Sequence, residues 1–279
     1  MLNTVYRDAI KKRDEARSIF KGKRFEQIIQ AAQANWAEYN PQKCNSVIAG
    51  IDSSYNSTKF QGLELWVVTA ISIKSDGTVI KEIHNQGLGQ PSPELETQAS
   101  KMEVEACIAS INEADLVALD GSLYSQFLTR QSSLGQAVTL AIKKRHNVVF
   151  ISKTSSARKQ FEKLGSVAGD IFYYNHALKK PGFSKIFVDK DLGPSKVVSY
   201  VYARLRDSTP LIKIELFGAD HNESEIKSLL DMLTTNSVSG YPYALKLAHE
   251  SCKITNADLS RLVSLYGLAN EVGSREVLN

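Results

Sequence analysis

Two aspartates stand where a short apolar run gives way to small, turn-forming residues. Leu116-Val117-Ala118-Leu119 ends in Asp120-Gly121-Ser122, and Val47-Ile48-Ala49-Gly50-Ile51 ends in Asp52-Ser53-Ser54. A buried strand that closes this way delivers a carboxylate to its C-terminal edge, and a glycine then lets the backbone turn and approach a ligand. Each pair taken alone also reads as a plain turn former. If the two strands are adjacent and parallel, both carboxylates emerge on one rim of a sheet. Two like charges there repel unless a divalent cation sits between them.

A third acid would come from the helix between these strands. Glu103 and Glu105 both border its apolar stripe (Leu95, Met102, Ala106, Ala109), and Glu103 is preferred. Oxygen ligands suit magnesium or manganese, and an imidazole would tilt the choice to manganese. His249, one helical turn beyond Leu245, reads as a packed residue or as that ligand. The remaining histidines, at 84, 146, 176 and 221, read as loop or surface residues. Lys153 follows the apolar run Val148–Ile151, where its ammonium would hold a phosphate or simply meet solvent. Such a centre serves phosphoryl chemistry, with one cation activating a water and another stabilising the leaving oxygen. Lys143, Lys144, Arg145, Lys153, Arg158 and Lys159 form the densest basic stretch, which next to a metal centre would face a nucleic-acid backbone and elsewhere is a solvated surface. Tyr173, Tyr174, Tyr200, Tyr202, Tyr241 and Tyr243 read as core packing or as platforms for unpaired bases.

The elements that must position these groups are legible as periods. Residues 1–40 carry Val5, Ile10, Ile19, Phe20, Ile28 and Ile29 at helical intervals, an N-terminal helical segment. From Val47 the period becomes two. Strands are expected at Val47–Ile51, Leu63–Ile73 and Val79–Asn85, with Ser75-Asp76-Gly77 as a hairpin turn. Pro91-Ser92-Pro93 opens a helix to about Asn112, with Glu94 and Glu96 at its positive end. The strand of Asp120 follows, then a helix from Ser133 to Arg145 and the strand Val148–Ile151. Ser155–Leu164 and Ala168–Leu178 look helical. Val197–Leu205 and Leu211–Phe217 read as a hairpin, and Asn222 with Glu225 as a capping box. Tyr241-Pro242-Tyr243 leads into the helix of His249, and another helix starts near Asn256. The expected fold is α/β: a mixed sheet of three antiparallel strands followed by parallel strands, flanked by helices, in a single domain over residues 41–279 that carries an inserted hairpin and a helical C-terminal extension.

Composition narrows the function classes. The 279 residues are 43% apolar, enough for a core that buries roughly three quarters of the unfolded surface without staples. No apolar run reaches membrane-spanning length and no signal peptide is evident, so a cytoplasmic chain is expected. Cys44, Cys107 and Cys252 form no C-x-x-C pair and read as reduced residues. A net charge of +4 fits an anionic partner without demanding one. Neither phosphate-loop fingerprint occurs; Gly87-Leu88-Gly89 lacks the third glycine and precedes prolines.

Five stretches taken together resemble the NurA nuclease family: Ala49-Gly50-Ile51-Asp52-Ser53-Ser54, Lys101-Met102-Glu103, Leu116 to Leu123, Ile151-Ser152-Lys153, and Gly240 to His249. Asp-Gly-Ser-Leu and Tyr-Pro-Tyr-x-Leu-x-x-Ala-His are the specific ones. Ser53 stands where the first motif usually has glycine. The resemblance implies an RNase H-like fold and a manganese-dependent DNA nuclease, with magnesium as the alternative ion. It further implies a homodimer that acts on single strands and duplex ends with the hexameric HerA ATPase in archaeal end resection and break repair. Carried over to this sequence, it makes Asp52, Glu103, Asp120 and His249 the metal ligands and Lys153 a phosphate contact. Two other readings of the same residues are a non-catalytic DNA-binding subunit that docks a translocase and a phosphatase for small substrates.

Overall fold

The computed structural model describes residues 2–91, 93–123, 142–143, 145–190 and 197–271. The N-terminal segment forms helices α1 (Leu2–Ser18) and α2 (Lys23–Ala34), and its end is a strand, β1 (Trp36–Glu38). Three antiparallel strands follow through tight turns: β2 (Ile48–Phe60), β3 (Leu63–Lys74) and β4 (Val79–Leu88). Helix α3 (Leu95–Ser110) crosses to β5 (Leu116–Asp120), and β6 (Val148–Ser152) lies beside it. Both β5 and β6 run parallel, β5 pairing with β2 from Ile48↔Leu116 to Ile51↔Leu119.

The second half extends this sheet. Helix α4 (Asp170–Ala177) leads to β7 (Gly182–Ser184) and β8 (Phe187–Asp189), and the expected hairpin is β9 (Val198–Arg204) with β10 (Ile212–Phe217). Strand β10 pairs antiparallel with β6, so the hairpin continues the main sheet, in the order β1-β7-β9-β10-β6-β5-β2-β3-β4. Helix α5 (Glu223–Thr235) begins at the Asn222 capping box, both halves of which are formed. A short pair, β11 (Ser237–Val238) and β12 (Tyr241–Pro242), delivers the chain to α6 (Tyr243–Cys252), and α7 (Asn256–Leu265) closes the described chain. Three meandering strands with two parallel strands beside the first make the expected RNase H-like sheet.

Period-two alternation divides the core between the two faces. Ile48, Leu116, Ala118, Val149, Ile151, Ile212 and Ile214 pack against Leu229, Leu230 and Leu233 of α5 and Ala244 and Leu245 of α6. The intervening Ala49, Ile51, Val117, Leu119, Val148 and Phe150 pack against Val104, Ala106 and Cys107 of α3. A third, aromatic cluster joins α2 to α4 through Ile28, Phe161, Tyr173, Tyr174, Tyr200 and Tyr202, which places those tyrosines in the core.

Four expectations change. Asp52 does not end a strand: β2 runs on to Phe60, and what stops before Asp52 is only its pairing with β5. Ser155–Leu164 is a loop with one 3-10 turn, Glu162–Leu164, because side chains take over its backbone: Ser155 Oγ accepts locally from Ala157, and the Asp170 carboxylate, brought in by the tertiary fold, accepts from Gln160 and Phe161. On α3, Ala109 is exposed while Gln98, Glu103 and Ser110 are buried, so the inward face is rotated from the apolar stripe and includes three polar side chains. Trp36–Glu38 pairs with β7 rather than ending in a helix. The helix expected at Ser133–Arg145 falls almost wholly outside the described residues.

Candidate metal centre

Position 50 decides where α6 sits. A Cβ on Gly50 would lie 2.3 Å from the backbone carbonyl carbon of Ala244, so only glycine lets the helix rest directly on β2. Ala244, Leu245 and Ala248 are fully buried in that contact. The face of α6 beside them carries His249, whose Nδ1 is 2.8 Å from Oδ2 of Asp52. Asp52 itself is only 8% exposed and points to the α6 face of the sheet, as Ile48 does four residues earlier.

Asp120 reaches the same face from the end of β5. Gly121 follows in the left-handed region, at φ 113°, and its N–H donates to Ile151, which turns the chain away and leaves the carboxylate at the rim. One oxygen of Asp120 takes the Lys153 ammonium at 2.9 Å, and Lys153 Nζ lies 4.5 Å from the centre of the Tyr241 ring. Asp52, Asp120 and His249 each present a ligand atom within 4.8 Å of those of the other two.

The electrostatics of this cluster are those of a site short of positive charge. Burial raises the pKa of Asp52 above its ordinary value, and the negative charge of Asp120 adds to that; the bonds from His249 and from the Ser53 N–H pull the other way. Burial pushes the Tyr241 phenol far up, helped by the adjacent Asp120 carboxylate. The Cys252 thiol moves the same way, first through burial and then through the Asp52 charge. A divalent cation among the three ligand atoms would be held by two carboxylate oxygens and an imidazole nitrogen, and would relieve the repulsion that raises Asp52.

Glu103, the fourth ligand that the resemblance implies, is not in this cluster and approaches from the other face. Ser53, the next residue on β2, points to α3, and its hydroxyl donates to Glu103 Oε1 at 2.5 Å. Glu103 is 4% exposed and its carboxylate is anchored one step along the strand from Asp52. Glu105, the alternative, is exposed and pairs with Lys81 at 3.3 Å. Sequence reasoning missed the Ser53 link and the contact of Tyr241 with Asp120 and Lys153. It also missed Glu215, which accepts from both Ser122 Oγ (2.9 Å) and the Leu123 N–H (2.6 Å) and so braces the turn after Asp120. The signal was present: Lys213 and Glu215 are opposite charges two apart in the otherwise apolar run Leu211–Phe217.

A NurA domain model matches residues 46–254, three quarters of the chain and every residue named above in the centre. The chain belongs to the NurA family. A relative from Sulfurisphaera tokodaii called DNA double-strand break repair nuclease NurA is 24% identical over 162 residues, covering 53% of this chain and 46% of its own length. The chain thus matches less than half of that relative. The crystal structure of the NurA nuclease from Sulfolobus solfataricus superposes with a TM-score of 0.82 at 20% identity, covering 96% of this chain and 97% of the other. A NurA structure bound to dAMP and manganese superposes at 0.60 and 11% identity, with 99% of both chains covered. At these identities the superpositions establish the NurA fold.

Proposed function

We propose that this chain is a divalent-metal-dependent DNA nuclease that hydrolyses phosphodiester bonds at the Asp52–Asp120–His249 cluster. The observation that carries the reading is the convergence of two strand-borne carboxylates and an imidazole within 4.8 Å, inside a NurA domain. A curated relative is a break-repair nuclease, and one family member has been seen with manganese and a deoxynucleotide, which supports manganese as the ion, with magnesium as the alternative. When bound, the ion supplies a more acidic water and neutralises charge at the phosphate.

The chain's own groups divide the remaining work. Asp52 and Asp120 hold the cation, and His249 completes the set from α6. Glu103, fixed by Ser53, supplies the further acid. The Lys153 ammonium sits at the rim as a point charge for a phosphate oxygen, and the Asp120 carboxylate and Tyr241 ring hold it there. Duplex ends and single strands as substrates, a homodimer, a HerA-type hexameric ATPase as partner and a cytoplasmic site of action complete the reading. No described helix is long and apolar enough to cross a membrane. Incubating the protein with end-labelled single-stranded and blunt duplex DNA tests the activity: manganese-dependent products that chelation abolishes are expected, and intact DNA under every ion and partner condition would overturn it.

A further inference from the structure

At the same rim, on the opposite face of the sheet from His249, lies a cavity of about 690 Å³. Strand alternation places it there. Ser152 shares its side of β6 with Phe150 and Val148, and Lys213 and Glu215 share theirs on β10 with Phe217, all packed on the α3 side. Ser152 and Lys153 are consecutive, so the cavity and the phosphate-facing ammonium are reached from one strand end.

Its lining is built rather than incidental. Lys213 and Glu215, 7% and 1% exposed, form a buried ion pair along its floor, with Lys213 Nζ 4.5 Å from the centre of the Tyr200 ring. Ser152 is 8% exposed, and its hydroxyl has no hydrogen-bond partner among the described residues. The walls add Ser122, which follows Asp120 by two residues, and Ser156 at the exposed mouth.

Charge selects the ligand class. Among the described residues of the lining, each of the two cations already meets a carboxylate, Lys213 with Glu215 and Lys159 with Asp189 at 2.5 Å, so this described lining is close to neutral. A phosphate would gain little there, whereas a neutral group rich in donors and acceptors gains several hydrogen bonds. A nucleoside, base plus deoxyribose, has that chemistry and fits a cavity of this size.

We infer that this cavity is a nucleoside subsite, taking one unpaired base and its sugar from the strand whose phosphate lies at Lys153 and Asp120. The strand would pass over the rim between β5 and β6, with the cleaved phosphate on one face and the seated base on the other. The inference rests on the nuclease reading for the strand, but not for the cavity's own affinity.

Two measurements on the full chain separate the two. In chelator without metal, neutral deoxynucleosides are titrated and followed by chemical-shift change. Saturable millimolar binding is expected for the wild type and for Asp120→Asn, and its loss in Ser156→Trp, which plugs the mouth from an exposed position. In manganese, an abasic residue is walked along a short oligonucleotide; one position is expected to raise KM about tenfold, and that ratio should fall to one in Ser156→Trp. No saturable nucleoside binding, or equal binding by Ser156→Trp, would overturn the subsite. Binding with no cleavage of any oligonucleotide would overturn the nuclease reading and leave the subsite standing.

Discussion

Nδ1 of His249 stands 2.8 Å from Oδ2 of Asp52 across 197 residues of chain. The pair exists only because α6 lies on the bare backbone of Gly50. His249 is half exposed, so it contributes little to the core, and replacing it should separate function from folding. His249→Ala is expected to lower manganese affinity and DNA cleavage at least tenfold while thermal unfolding shifts by no more than an ordinary surface substitution. Calorimetric manganese titration beside a melt checks it; unchanged affinity would remove His249 from the ligand set.

Gly50→Ala tests the helix seat. The added methyl falls on the Ala244 backbone, which has no flexible end to yield, so α6 must shift. A stability loss of about 1–3 kcal/mol is expected, with a larger loss of activity than of stability because His249 moves with the helix. Denaturant melts and cleavage rates on the same preparation measure both.

Glu103→Gln and Glu105→Gln separate the two candidate acids. Glu105 is a solvated partner of Lys81, and its loss should change stability by less than about 0.5 kcal/mol and leave cleavage intact. Glu103 is buried against Ser53, and its neutralisation should cut cleavage sharply. Equal activity of the two variants would remove Glu103 from the site.

Acid stability reports on the loop behind Lys153. Asp170 accepts the N–H groups of Gln160 and Phe161, yet burial raises its pKa to about 6. The folded protein therefore keeps this proton to about pH 6, while an unfolded chain releases it near pH ~4. Across that window the native state binds the extra proton, so this group's contribution to stability falls as pH rises. The stability of Asp170→Asn relative to wild type should increase from about pH 4 to about pH 7 and then level off, by at most about 3 kcal/mol. A difference independent of pH would refute the assignment.

Much of this was legible in the sequence, for physical reasons. Strands of period two, the Asn222 capping box and the strand-ending Asp120-Gly121 are local signals, and the structure realises each of them. Asp52 was found for a partly wrong reason: the small residues Ser53 and Ser54 suggested a turn, but pairing with β3 carries the strand on. The Ser155–Leu164 loop misled because its helix-breaking bond comes from Asp170, which only the tertiary fold brings near. Asp52, Asp120 and His249 converge through three separate elements, and no spacing encodes that. A buried carboxylate such as Glu103 on the inward face of a helix is the sort of local conflict that marks a site.

The account turns on whether Asp120 and its neighbours hold a cation that cleavage requires. The most direct measurement is the cleavage rate of single-stranded DNA in manganese by wild-type protein and by Asp120→Asn, each with a chelator control. The account predicts metal-dependent cleavage by the wild type alone, with Asp120→Asn folded and reduced at least a hundredfold, in line with loss of a ligand to the cation that neutralises charge at the reacting phosphate. Cleavage by Asp120→Asn at the wild-type rate, or wild-type cleavage that persists in chelator, would contradict it.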